Sequence, residues 1–156
     1  VGHRNKAGVA GVALAMLVTA APARADMEFW LDNQSSVPTR AMVQEISGIH
    51  YLGPGDKNNS IAAGGWFTSK GCGGACLQNP YHVRFKHLGN DTTYCVFEVT
   101  YSVRESIGSN WGSVNVEVKV WHEEPGMRCT SSGQRSAMWH SSAPSEGVYL
   151  IFTLDN

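Results

Sequence analysis

The sequence predicts an all-β fold: a single antiparallel β-sandwich stabilised by disulfides, with a flattened β-barrel as the alternative architecture. Three observations carry this. Val114, Val116, Val118 and Val120 alternate with Asn115, Glu117 and Lys119, the period-two pattern of a half-buried strand. Short runs of the same alternation recur along the chain between clusters of Gly, Pro, Asn and Ser. After the first 25 residues no segment carries a convincing period of 3.6.

Residues 1–25 read as a secretory signal peptide. His3, Arg4 and Lys6 form a basic start, Ala7 to Ala20 is apolar, and Ala23-Arg24-Ala25 fits a small-x-small cleavage site. The apolar run falls short of the roughly 20 residues that span a bilayer. The Ala-rich leader is of bacterial type. Removing 25 of the 156 residues leaves 131, residues 26–156, the size of one domain. The expected destination is secreted or periplasmic.

The full chain has 12 basic and 13 acidic residues. Three of the basic ones, Arg4, Lys6 and Arg24, lie in the leader, so the mature part has nine against 13 and a net charge of −4. An acidic domain without a basic block is a poor nucleic-acid binder and lacks a polybasic membrane anchor. Cys72, Cys76, Cys95 and Cys129 are an even set in an exported chain and predict two disulfides. The favoured pairs are Cys72–Cys76, a local clip, and Cys95–Cys129, tying a core strand to a late loop.

Element by element, Met27 to Asn33 reads as a first strand with Met27, Phe29 and Leu31 on one face. Ala41 to Ile46 and Ile49 to Leu52 are short strands, and Gly53 to Asn59 is dense in turn residues. Ser60 to Ser69 is a strand that Gly64-Gly65 should bulge or bend, and Lys70 to Pro80 is a Gly- and Cys-rich loop. Tyr81 to Leu88, Tyr94 to Val103 and Ser113 to Trp121 form a meander. Matching apolar parity pairs Phe85 with Phe97, Val83 with Val99 and Tyr81 with Tyr101. On the other side it pairs Val103 with Val114, Tyr101 with Val116, Val99 with Val118 and Phe97 with Val120. That register sets Glu98 between Arg84 and Lys119 across the strands, pairs that contribute about 0.2–1 kcal/mol each. Glu123 to Gly126 is a turn, and Met127 to Thr130 and Arg135 to His140 are weaker strands. Gly147 to Leu154 is a last strand, apolar enough on both faces to be central.

The sequence offers little chemistry. Five histidines follow the leader, without His-x-His or His-Glu-x-x-His spacing, and no metal site or cofactor is expected. Gly-x-Ser-x-Gly is absent. Gly71-Cys72-Gly73-Gly74 is a tight turn rather than a phosphate loop, because neither a helix nor Lys-Ser/Thr follows it. The asparagine sequons read as turn residues. The five tryptophans are the more informative feature. Trp30 lies between Glu28 and Asp32, Trp111 sits in a polar connection, and Trp139 precedes His140. Aromatic side chains with polar neighbours stack on sugars, anchor proteins or sit at lipid interfaces. Trp30, Trp66, Trp111, Trp139 and His140 are therefore the candidate binding residues. The expected function is a non-catalytic module binding a protein or a glycan through aromatic-bearing loops. The alternatives are a lipid-binding or membrane-active β-sandwich, and a hydrolase with a His/carboxylate site.

Overall fold

A computed structural model describes residues 24–44, 48–68, 71–73, 80–105, 111–140 and 147–156; for 24–26, 58–68, 71–73 and 105 it describes the backbone course alone. Eleven strands run in order through these residues. They are β1 (Arg24–Asn33), β2 (Thr39–Val43), β3 (His50–Leu52), β4 (Lys57–Thr68), β5 (Gly71–Gly73) and β6 (Tyr81–His87). Then come β7 (Thr93–Glu105), β8 (Trp111–Glu123), β9 (Arg128–Gln134), β10 (Ser136–His140) and β11 (Gly147–Asp155). No helix occurs among the described residues, and none is long and apolar enough to cross a membrane. Residues 1–23 of the expected signal peptide and the expected clip partner Cys76 lie outside the described residues; the expected cleavage point after Ala25 falls two residues into β1.

The strands form the predicted sandwich. One sheet has the order β5-β4-β1-β11-β9, the other β10-β8-β7-β6-β2-β3. Alternate side chains from both sheets close over one core. Phe29, Leu31, Leu150, Phe152 and Leu154 come from the first sheet, and Val83, Phe85, Phe97, Val99 and Val114 from the second, all fully buried. Phe152 bridges the layers, with its ring centroid 5.1 Å from Phe97 and 5.5 Å from Phe29. The Cys95–Cys129 disulfide, one of the two favoured pairs, joins β7 of one sheet to β9 of the other.

One pairing departs from the antiparallel pattern. β1 and β11 run parallel, with Phe29 opposite Leu150 and Leu31 opposite Phe152. β11 is an interior strand, between β1 and β9, which accounts for its two-sided apolar character. Opposite β1, the run Ala63-Gly64-Gly65 falls within a register shift between the Asp26–Trp66 and Glu28–Ala62 pairs, where the paired glycines predict an irregularity.

In the meander, β7 and β8 pair as parity predicts: Val103 with Val114, Tyr101 with Val116, Val99 with Val118, Phe97 with Val120, and Glu98 with Lys119. The β6–β7 register is a correction. Tyr81 faces Val99, Val83 faces Phe97 and Phe85 faces Cys95, two residues from the expected pairs. Alternation fixes a register only to within an even shift, so the hairpin decides. His87 N donates to Thr92 O (2.8 Å) and Thr92 N to the Asn90 side chain (2.9 Å), closing a shorter loop than expected. Glu98 accordingly faces His82 rather than Arg84, and Arg84 faces Val96.

Two bulges sit at the same end of this sheet. Phe85 pairs with Cys95 but Lys86 with Thr93, leaving Tyr94 as an extra residue. Val96 pairs with His122 but Phe97 with Val120, leaving Trp121 as an extra residue. A bulge places two successive side chains where regular alternation allows one and increases local twist. Tyr94 thereby turns inward beside Cys95, and both are buried.

Candidate functional site

The bulged corner builds a groove on the outer face of the six-stranded sheet. Its cavity is about 510 Å³ and is lined by His82, Arg84, Thr93, Val96, Trp121 and His122. In regular β8 pairing Trp121 and His122 would point to opposite faces; the bulge brings both into this groove. Trp121 is 65% exposed, the largest aromatic side chain so open to water among the described residues. Its ring meets His82 edge to face, with centroids 5.4 Å apart and planes at 87°.

Polar groups around the ring are held by the strands. The Gln44 side-chain oxygen accepts from His82 N (3.0 Å) and from His82 Nδ1 (3.1 Å). An amide oxygen only accepts, so Nδ1 carries the hydrogen and Nε2 points at Glu98 Oε2, 3.8 Å away. His122 Nε2 donates to the Thr93 carbonyl (3.1 Å) and lies 3.5 Å from Glu124 Oε2. Arg84, half-buried in the groove, makes no ion pair among the described residues. Beneath the groove, Glu124 N donates to Tyr94 O (2.9 Å) and Cys129 N to Glu123 Oε2 (2.7 Å), while the disulfide anchors Cys95. The groove therefore has an aromatic wall, hydrogen-bonding side chains at fixed positions and a rigid floor.

The sequence-predicted residues do not form one surface. Trp30 lies on the outer face of the other sheet, half-buried, with Lys57 Nζ 5.0 Å from its ring centroid. With Glu28, Lys57, Tyr149 and Ile151 it lines a separate hollow of about 310 Å³. Trp66 is in β4, opposite Asp26 and Gly73, and its side chain is outside the described set. Trp111 and His140 face each other across β8 and β10 and are both exposed. Trp139 is a correction: it is 2% exposed, packed in the core over Gly112. Its polar flanks suggested a surface position, but β10 alternates, burying Ala137 and Trp139 while Met138 and His140 face out.

Trp121 was not among the sequence-predicted binding residues; its odd-numbered place after Asn115, Glu117 and Lys119 marks it as outward-facing, but its neighbours in the groove depend on two bulges. Cys95 is oxidised in the disulfide, and the His87 ring packs edge-on against Tyr94 at 6.0 Å. No group of three or more His, Cys, Asp or Glu that could hold a metal occurs among the described residues. No family model, curated protein or solved structure matches the chain.

Proposed function

We propose that the protein is an exported, non-catalytic binding module that receives a glycan in the groove around Trp121. The observation that carries this is one tryptophan, 65% exposed, beside fixed hydrogen-bonding side chains in a groove on the sheet's outer face. Sugars offer that combination in reverse, with apolar C–H faces and a rim of hydroxyls. A protein partner is less well matched. A stable protein interface covers about 800 Å² per partner around an apolar centre, whereas the groove is flanked by His82, Arg84, His122 and Glu98. A lipid surface is less well matched too, since Tyr51, Trp111, Trp121, Met138 and Tyr149 are exposed on both sheets and share no tip. Export is supported by the leader pattern and by the Cys95–Cys129 bridge, because disulfides persist in oxidising compartments.

The test is a titration of the mature protein with soluble oligosaccharides, followed by tryptophan emission and calorimetry. Binding should change the emission, and Trp121→Ala should weaken it by about tenfold or more, the loss expected for one anchoring aromatic contact. Trp30→Ala and Trp111→Ala should leave affinity within about twofold, as remote positions do. Unchanged affinity in Trp121→Ala, or no binding across neutral and acidic oligosaccharides, would remove the proposal.

A further inference from the structure

We infer that the sugar taken by this groove is acidic, carrying carboxylate or sulfate groups, with Arg84 as the residue that receives the charge. The inference rests on the glycan reading above and specifies its ligand class. Arg84 is half-buried, lines the groove and faces Val96 on β7 and Met42 on β2, with no carboxylate paired to it among the described residues. Arg84 thus brings to the groove a cation that no carboxylate of the described residues neutralises. The acidic side chains beside the groove lie against histidines: Glu98 Oε2 is 3.8 Å from His82 Nε2, and Glu124 Oε2 is 3.5 Å from His122 Nε2. A planar guanidinium binds a carboxylate or sulfate through two parallel hydrogen bonds, so an anionic sugar beside Trp121 satisfies both features of the groove at once.

The positive surface continues along the sheet. Lys86 follows Arg84 on the same face of β6, about 7 Å on at the strand's rise per residue. It pairs in register with Arg40 on β2. Arg40 and Lys86 line an adjoining hollow of about 270 Å³ with Met42 and Ile49. Both converge on one carboxylate oxygen of Asp91, at 2.7 and 4.0 Å. Asp91 is a weak counter-ion, because its side chain is 91% exposed at a loop tip. Two cation positions separated along a strand, beside an aromatic platform, suit a chain with one charge per ring.

The experiment compares a tetragalacturonate, a heparin-type sulfated tetrasaccharide and uncharged cellotetraose by calorimetry on the mature protein. Urea midpoints of each variant confirm that it is folded. At least one acidic ligand should bind about tenfold or more tightly than cellotetraose, and raising salt from about 0.05 to 0.3 M should erode that advantage. Arg84→Gln should lower the acidic affinity about tenfold while leaving cellotetraose within about twofold. Asp91→Asn, which frees Arg40 and Lys86, should instead raise the acidic affinity, by about threefold, a gain that damage to the fold would not produce. Which acidic ligand binds tells carboxylate from sulfate. If cellotetraose binds as tightly as both acids, or if Arg84→Gln binds them unchanged, this inference falls and the glycan reading stands. If none of the three binds, both fall.

Discussion

Asn33 shows how a single side chain organises this fold. It is fully buried at the end of β1. Its Nδ2 donates to the carbonyls of Val37, Leu52 and Gly53 at 2.8, 3.1 and 3.1 Å. Its Oδ1 accepts from Ser35 N and Ser35 Oγ at 3.1 and 2.6 Å. One amide thus ties the β1–β2 loop to the turn after β3. Asn33→Ala leaves buried carbonyls without donors and should cost about 3 kcal/mol in urea unfolding at pH 7. Tyr81 gives a pH-dependent counterpart. Its hydroxyl lies 3.3 Å from Met27 Sδ, and burial, with a smaller contribution from Tyr101, pushes it far above the ordinary tyrosine range. The native state keeps this proton while the unfolded chain releases it above about pH 10, so stability is intact below that pH and falls as pH rises past it. Tyr81→Phe should therefore lose less stability than the wild type between about pH 7 and pH 11. Equal loss in both proteins would refute the assignment.

At the scale of elements, the two bulges and the turns decide what the alternation cannot. The tight turns at Pro54-Gly55 and Pro125-Gly126 are visible in the sequence, because Pro sets the first central position and Gly the second. Gly55 has φ 82° and Gly126 φ 86°, as that turn requires. Gly133 in β9 also has positive φ, 107°, and a Cβ there would run into the Tyr149 carbonyl across the ladder. Gly126→Ala should cost about 1 kcal/mol, and Gly133→Ala about 2–3 kcal/mol because backbone strain and collision combine. Denaturant melts of the two variants check the order. The β7–β8 register was legible because four valines and Glu98–Lys119 agree on it. The β6–β7 register was not, because a two-residue slip keeps every apolar side chain inside and exchanges Arg84 for His82 opposite Glu98 at little cost. That exchange is what leaves Arg84 unpaired in the groove.

At the scale of the molecule, the two sheets are held by a shared core and one covalent tie. Cys95 and Cys129 are 34 residues apart and belong to different sheets. Replacing both with Ala should lower the unfolding free energy by about 3–4 kcal/mol, the loop entropy restored to the unfolded chain. Chemical denaturation at neutral pH measures it; a loss below about 1 kcal/mol would mean the core alone sets the alignment of the sheets. The groove lies over this tie, so the same variant should also bind oligosaccharide more weakly.

Local alternation and turn chemistry were enough to determine the all-β sandwich and most of its strands, because both are read from neighbouring residues and parity; β5, Gly71–Gly73, was an exception, read as part of a Gly- and Cys-rich loop, and the sequence favoured the Cys95–Cys129 pair without fixing it. The parallel β1–β11 contact, the burial of Trp139 and the meeting of Trp121 with His82, Arg84 and His122 were decided only when the sheets closed. They depend on which strands become neighbours and on one extra residue in each of two ladders, and a side-chain pattern read along one chain does not encode either.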